Sequence, residues 1–340
     1  MLMLKYSFVP LFFLTSIASF AQDNGAKKCD QIIAKSKLYS VMNKVQTPPS
    51  GDKHDYMSQG PYWWPDPAKP DGLPYIRKDG VKNPEIKHIT DSDEMDELID
   101  DVVLLTDTYE QTRNEKYAAF AAKLIRHWFT NPATRQNPNL NFGQGIPGIN
   151  TGRGIGIIET RFLFKITASA NRLLKSKSWK KQDHEQLKKW FADYLTWLRE
   201  SPLGIDEADE HNNHGTYYDV QVVDFALFVG NKDLARRQLE ITKRRIDSQI
   251  KPDGSQPHEL TRTKSLGYSI MNLEGFFYLA QFADKLGVNL WDYRTNNGAG
   301  LRQAYDFLKP YLKDPKSWPY EQIAPVEPYL LQKLQTIAKY

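Results

Sequence analysis

The chain is predicted to be all-α, an (α/α) toroid, meaning an incomplete barrel of antiparallel inner and outer helix hairpins. Three observations carry this reading. From about Cys29 onward, segments of helical periodicity follow one another and strand-like alternation is scarce. Segment 216–229 carries Val220, Val222, Val223, Phe225, Leu227, Phe228 and Val229 around most of its circumference, so it belongs inside. Segment 231–248 instead confines Ala235, Leu239, Thr242 and Ile246 to one stripe, with Lys232, Arg236, Lys243 and Arg244 elsewhere, the pattern of an outer helix. Only Gly230 and its neighbours join the two, which predicts an antiparallel hairpin.

Taken in order, the chain opens with Lys5, an apolar run from Phe8 to Phe20 and the small-x-small site Ser19-Phe20-Ala21. This is the pattern of a signal peptide over 1–21, too short in its apolar run for a membrane span. Export to the periplasm, or full secretion, no membrane insertion after cleavage, and a single domain over 22–340 are expected. One cysteine, Cys29, excludes an internal disulfide. Helices are predicted over 29–46, 94–111, 114–130, 155–174, 183–199, 216–229, 231–248, 267–286, 299–313 and 326–338. Two long stretches interrupt them: 47–93, with Tyr62-Trp63-Trp64-Pro65-Asp66-Pro67, and 131–154, with Asn137-Pro138-Asn139-Leu140-Asn141-Phe142-Gly143-Gln144. Loops of this length in a compact domain usually have a functional task, and both are expected to wall a cleft above the toroid. Net charge is +4 without a basic run, so no nucleic-acid footprint is present.

The chemistry concentrates at helix mouths. His211-Asn212-Asn213-His214-Gly215-Thr216 joins an acidic loop to the apolar inner helix, and Pro257-His258-Glu259-Leu260-Thr261-Arg262 with Gly267-Tyr268 precedes another apolar helix. An amide, an imidazole, a guanidinium and a phenol are the equipment for removing a proton α to a carboxylate. Asn213 can donate to a carboxylate oxygen and Arg262 can add positive charge. His214 can accept a proton near neutral pH. A guanidinium beside Tyr268 favours its phenolate, which suits the tyrosine to either proton transfer. Each residue also has a structural alternative: one asparagine as a helix cap, His214 as a core histidine, Arg262 paired with Glu259 or Glu274, and Tyr268 as a buried aromatic.

These residues resemble the alginate lyase superfamily of helical toroid enzymes. Asn212-Asn213-His214 and Glu259-Leu260-Thr261-Arg262 followed by Tyr268 carry one part of the likeness. Asn137 to Gln144 and Gly152-Arg153-Gly154-Ile155-Gly156-Ile157-Ile158-Glu159 carry the other. The likeness covers about residues 50–290 and looks nearest to polysaccharide lyase family 38. It implies β-elimination on alginate, especially mannuronate-rich chains, or on glucuronan. Asn213 and Arg262 would neutralise the carboxylate, and His214 and Tyr268 would serve as base and acid. An anionic uronate chain is the implied partner, with Tyr62, Trp63, Trp64, Asn141, Gln144, Arg153, Glu207, His211 and His258 as candidate substrate contacts. No cofactor and no catalytic metal are expected.

Three rivals stay open. A metal hydrolase would draw on Asp206, Glu207, Asp209, Glu210, His211 and His214, but the helical zinc spacing of two histidines four apart is absent. A noncatalytic glycan-binding protein would use the same tryptophans. A glycoside hydrolase on this toroid would need two carboxyls across the cleft, for which Glu159 and Glu207 are the nominees.

Overall fold

The structure, a computed structural model, describes residues 25–337 of the 340-residue chain. The expected signal segment 1–21 lies outside the described residues. Helix accounts for 59% and strand for 5%, so helix packing builds the fold. The helices are α1 (25–35), α2 (Asp91–Thr112), α3 (Glu115–Ile125), α4 (Phe164–Leu173), α5 (Lys181–Glu200), α6 (Pro202–Ala208), α7 (Asn213–Val229), α8 (Lys232–Gln249), α9 (Pro257–Leu260), α10 (Ser265–Asp284), α11 (Leu301–Leu308) and α12 (Pro328–Ile337).

The inner and outer roles follow the sequence pattern. Helix α7, apolar on every side, is buried along nearly its whole length and packs against α4, α5, α8 and α10. Gly230 ends it in the left-handed conformation at φ 90°, and the Asn231 side chain accepts from Leu234 N to start α8. Helix α10 is the second all-apolar helix, contacting α7, α8, α9, α11 and α12. It approaches α7 at Gly275, where a Cβ would stand 2.9 Å from Thr216 Cγ2. Helices α2 and α3 form a further hairpin, with α4 packed on both. The arc of hairpins does not close into a barrel. Phe225, Phe276, Phe191 and Trp128 lie fully buried in one continuous core, and truncating Phe225 to alanine should cost about 3–5 kcal/mol.

Three predicted helices differ from the structure for identifiable reasons. The 29–46 helix ends at 35, where Ser36 takes φ 51°, and the chain resumes only as a 3-10 turn over Val41–Asn43. Lys44 then turns inward, fully buried, to an ion pair of 3.0 Å with Asp91. The 155–174 helix divides into a 3-10 segment, Gly154–Thr160, and α4. There the Thr160 hydroxyl bonds both Ile157 O and Gln221 Oε1, an alternative to continued helix. The 299–313 helix tightens to a 3-10 turn over Lys309–Leu312, since Pro310 has no N–H to give. Cys29 is buried on α1, with its thiol against Thr108 Oγ1 of α2.

The two long stretches are joined to one another. Strand β1 (Met57–Gln59) pairs in parallel with β4 (Phe142–Gly145), and β2 (Trp63–Trp64) pairs antiparallel with β3 (Ile76–Arg77). Beneath them Glu159 is half-buried, accepting from Tyr56 Oη at 2.7 Å and Ser58 Oγ at 2.6 Å.

Candidate active site

Helix α7 begins at Asn213, three residues before the predicted start, because Asn212 is the cap: its Oδ1 accepts from His214 N at 2.8 Å. Asn213 and His214 therefore sit in the first helical turn. Asn213 faces Glu259 on α9, with Nδ2 at 3.1 and 3.0 Å from the two carboxylate oxygens and the backbone N at 2.6 Å. Its Oδ1 is buried without a partner. The amide expected to donate to a substrate carboxylate is thus already engaged by a carboxyl of the protein. Nδ2 lies within hydrogen-bond distance of both Glu259 oxygens and Oδ1 is buried, so the amide has at most one N–H left to offer a substrate.

His214 turns the other way. Its Nδ1 lies 2.9 Å from Glu207 Oε1, and Glu207 is fully buried on α6. Glu207 was expected as a substrate contact. Burial rules that out, and it stands behind the histidine instead. Gly215 permits the close approach, since a Cβ there would meet Glu210 O at 2.1 Å and Arg245 Nη1 at 2.2 Å.

Arg262 and Tyr268 form the opposite side. The guanidinium lies 4.1 Å from the Tyr268 ring centroid, with Nη2 2.8 Å from Asp79 Oδ1 and Nε 3.2 Å from Oδ2. Arg262 pairs with neither Glu259 nor Glu274 within ion-pair distance; its partner comes from the loop 183 residues earlier. Asp79 also accepts from the Thr263 hydroxyl at 3.0 Å. The Tyr268 hydroxyl lies 2.7 Å from that of Tyr62. Glu259 links the two sides: it bonds Asn213 and its carboxyl is influenced by the charges of both Arg262 and His214.

The electrostatics assign states. Burial pushes the carboxyls of Glu207 and Glu259 up, opposed by His214 and by the Asn213 hydrogen bonds respectively. Burial also acts on Asp79, but Arg262 and Thr263 outweigh it and hold the carboxylate well below its usual range. Tyr268 is raised above its ordinary value by burial and by Tyr62, with Arg262 opposing. The guanidinium therefore acts in the expected direction without prevailing. In the substrate-free site Tyr268 holds its proton, which suits an acid.

The remaining expected contacts divide. Tyr62 reaches the site through Tyr268. Trp63 lies beside Arg153, whose guanidinium is 5.9 Å from the ring and bonds Gln144 Oε1 at 2.8 Å. Gln144, at φ 49°, is buried and orients Arg153, which corrects its place as a direct contact. Trp64 gives its indole N–H to Val81 O and holds the loop together. Asn141 accepts from Trp197 on α5 and has no bond to the four central residues. His211 and His258 are exposed, with ring centroids 6.3 Å apart. The hydrolase pair is corrected too: Glu207 is fully buried against His214, and Glu159 is half-buried with Oε2 already accepting from Tyr56 and Ser58. Among the described residues no cluster of three or more His, Cys, Asp or Glu side chains is arranged to hold a metal.

The alginate lyase family model matches residues 40–318. The chain belongs to the alginate lyase family. Within the family, the crystal structure of an alginate lyase from Bacteroides ovatus is 38% identical and superposes at TM-score 0.89, covering 93% of this chain and 84% of that one. Alginate lyase A1-III from Sphingomonas species A1 is 18% identical at TM-score 0.56, covering 82% and 71%, and shares the fold. A histidine-to-alanine variant of A1-III complexed with tetrasaccharide matches at 17% identity and TM-score 0.59, covering 86% and 74%. Comparison with curated protein sequences gives no match.

Two residues central to the site were absent from the sequence reading: Asp79 as the Arg262 partner and Glu259 as the Asn213 partner. Asp79 carries no local signal beyond lying in the long loop. Glu259 does carry one, since an acid inside the Glu259-Leu260-Thr261-Arg262 run is fully buried and must have donors around it.

Proposed function

We propose that this enzyme is a polysaccharide lyase that cleaves 1,4-linked uronate chains, alginate first and glucuronan second, by β-elimination. The observation that carries the reading is the pairing of Arg262 on the Tyr268 ring with Glu259 clamped to Asn213. It joins a cation, a protonated phenol, an amide and, next to it in sequence, an imidazole. The identity to the Bacteroides ovatus alginate lyase supports the alginate assignment.

The step is an elimination. The C5–H bond breaks, its electron pair forms the C4–C5 double bond, and the C4–O bond breaks with a proton delivered to the leaving oxygen. The substrate carboxylate must be neutralised for C5 to lose its proton, and Arg262 with the remaining Asn213 N–H supplies donors for the developing enediolate. Tyr268, protonated beside Tyr62, delivers the proton to the leaving oxygen. In mannuronate and glucuronate H5 and that oxygen share a face, so Tyr268 can serve both transfers if it enters the reaction as the phenolate, its own proton having passed to solvent: it then takes H5 and returns that proton to the leaving oxygen. In guluronate they lie on opposite faces, and His214 takes H5.

Arg153 over Trp63, with His211 and His258, supplies the binding surface for neighbouring uronates. The leader-like first 21 residues support export to the periplasm as a single mature domain over 22–340. The test is incubation of purified enzyme with mannuronan, guluronan, glucuronan and pectin while ultraviolet absorbance of unsaturated ends is followed. Absorbance should rise on mannuronan or glucuronan first. New reducing ends without absorbance would establish hydrolysis and overturn the reading.

A further inference from the structure

The two ring nitrogens of His214 have different surroundings. Nδ1 meets Glu207 Oε1 at 2.9 Å, while Nε2 has no partner among the described side chains. Glu207 is fully buried, and its second oxygen is also buried without a hydrogen bond. Among the described residues the imidazole is therefore the one donor to this carboxylate. An ionised carboxylate can only accept, so the contact requires the proton on Nδ1 and leaves the Nε2 lone pair as the free end of the ring.

The frame around Glu207 is rigid. Arg245 on α8 donates from Nη2 to Ala208 O at 2.5 Å and from Nη1 to Glu210 O at 2.8 Å, fixing the carbonyls that follow Glu207. Its Nε bonds Asp219 Oδ2 at 2.9 Å, and Asp219 is held in turn by Gln238 at 2.6 Å and Thr242 at 2.9 Å. On the other side, a Cβ at Gly154 would stand 2.5 Å from Asp206 Oδ2, so the start of the 3-10 segment lies directly against α6. Neither end of α6 is free to move the carboxylate away from the ring.

We propose that Glu207 is a positioning residue that fixes His214 in the Nδ1–H form, making Nε2 the base for uronates whose H5 and leaving oxygen lie on opposite faces. The proposal rests on the lyase reading and deepens it, because it separates two substrates at one site. With the proton on Nε2 instead, the ring would present a donor to C5 and no base. Guluronate has no second route, since Tyr268 is on the leaving-oxygen side. Mannuronate does, because the phenol shares the face of H5. Glu207 thus bears most heavily on guluronate.

The test is Glu207→Gln, which keeps the shape and removes the charge. A glutamine can donate to Nδ1 as readily as accept from it, so the tautomer is no longer dictated. On guluronan, kcat should fall by roughly 10²–10³ with KM changed less than about threefold, as expected when the orienting group of an imidazole base is neutralised. On mannuronan the loss should be at least about tenfold smaller. Glu207→Asp, which retains the charge, should recover part of the guluronan rate. Equal losses on both polymers, or guluronan activity unaffected by the substitution, would overturn the proposal, as would a wild-type enzyme that cleaves mannuronan but no guluronan.

A second readout is independent of turnover. Nitrogen NMR of 15N-histidine-labelled protein, with His214 assigned from a His214→Gln spectrum, should show the proton on Nδ1 in the wild type and a shift toward Nε2 in Glu207→Gln. A wild-type ring protonated on Nε2 would overturn the dyad whatever the enzyme cleaves. Failure of every uronate polymer would instead remove the lyase reading and leave this tautomer assignment standing.

Discussion

The hydroxyls of Tyr62 and Tyr268 lie 2.7 Å apart although 206 residues separate them. The long stretch before α2 thus ends one of its side chains on the proposed acid, and the loop is part of the site.

Tyr268→Phe removes the hydroxyl and keeps the ring against Arg262. Turnover on mannuronan should drop by roughly 10²–10⁴, the range for a lost general acid or base, with little change in melting temperature. Initial rates from ultraviolet absorbance check this, and near-wild-type turnover would exclude Tyr268 from both proton transfers.

Asp79→Ala takes the partner from Arg262 and Thr263. A guanidinium freed from its fork no longer holds one orientation on the Tyr268 ring, so kcat/KM should fall about 10- to 100-fold. A lower KM in this variant would mean instead that Asp79 competes with the substrate carboxylate, and steady-state kinetics separate the two outcomes.

Asn213→Ala removes the two side-chain contacts that Glu259 accepts from Asn213 Nδ2 and leaves the buried carboxyl with the backbone N–H of that residue. The backbone N–H survives the substitution, so the lost interaction is that of the amide, and about 2–4 kcal/mol of stability should go with it. Denaturant unfolding measures the loss. Combining the change with Glu259→Gln should return part of it, because the group left with fewer donors is then neutral.

Asp224 is a pH-dependent weak point. Burial raises its carboxyl to about 7, with the Thr167 hydroxyl opposing. A folded value above the unfolded one stabilises the protein at low pH. That contribution is complete below the ordinary carboxyl value of 3.8 and is lost as pH rises through about 7. The loss amounts to up to about 4 kcal/mol. Asp224→Asn should therefore raise the melting temperature relative to wild type at pH 8 and give no advantage at pH 4. Equal differences at the two pH values would contradict the assignment.

Much of the fold was legible in the residues. The all-round apolarity of α7 and the single stripe of α8 placed one inside and one outside, and Gly230 marked the turn. Helix α6 was overlooked, yet its start was written in the sequence: the Ser201 side chain accepts from Gly204 N and Pro202 takes the first helical position. The early end of α1 was not legible. Its periodicity continues past 35, and the chain leaves the helix because Lys44 is drawn to the buried Asp91, a residue 47 positions away.

By itself the sequence determined which faces are apolar, where most of the long helices lie, and which four side chains sit at the mouths of the inner helices. Tertiary structure alone decided which atoms of those side chains are already engaged. Asn213 gives its amide nitrogen to Glu259, Arg262 gives two nitrogens to Asp79, and His214 gives Nδ1 to Glu207. The reason is physical. Periodicity reports the average environment of a helix face, whereas a hydrogen bond depends on the position of one partner atom to within a few tenths of an ångström, and that partner is brought in by a different segment.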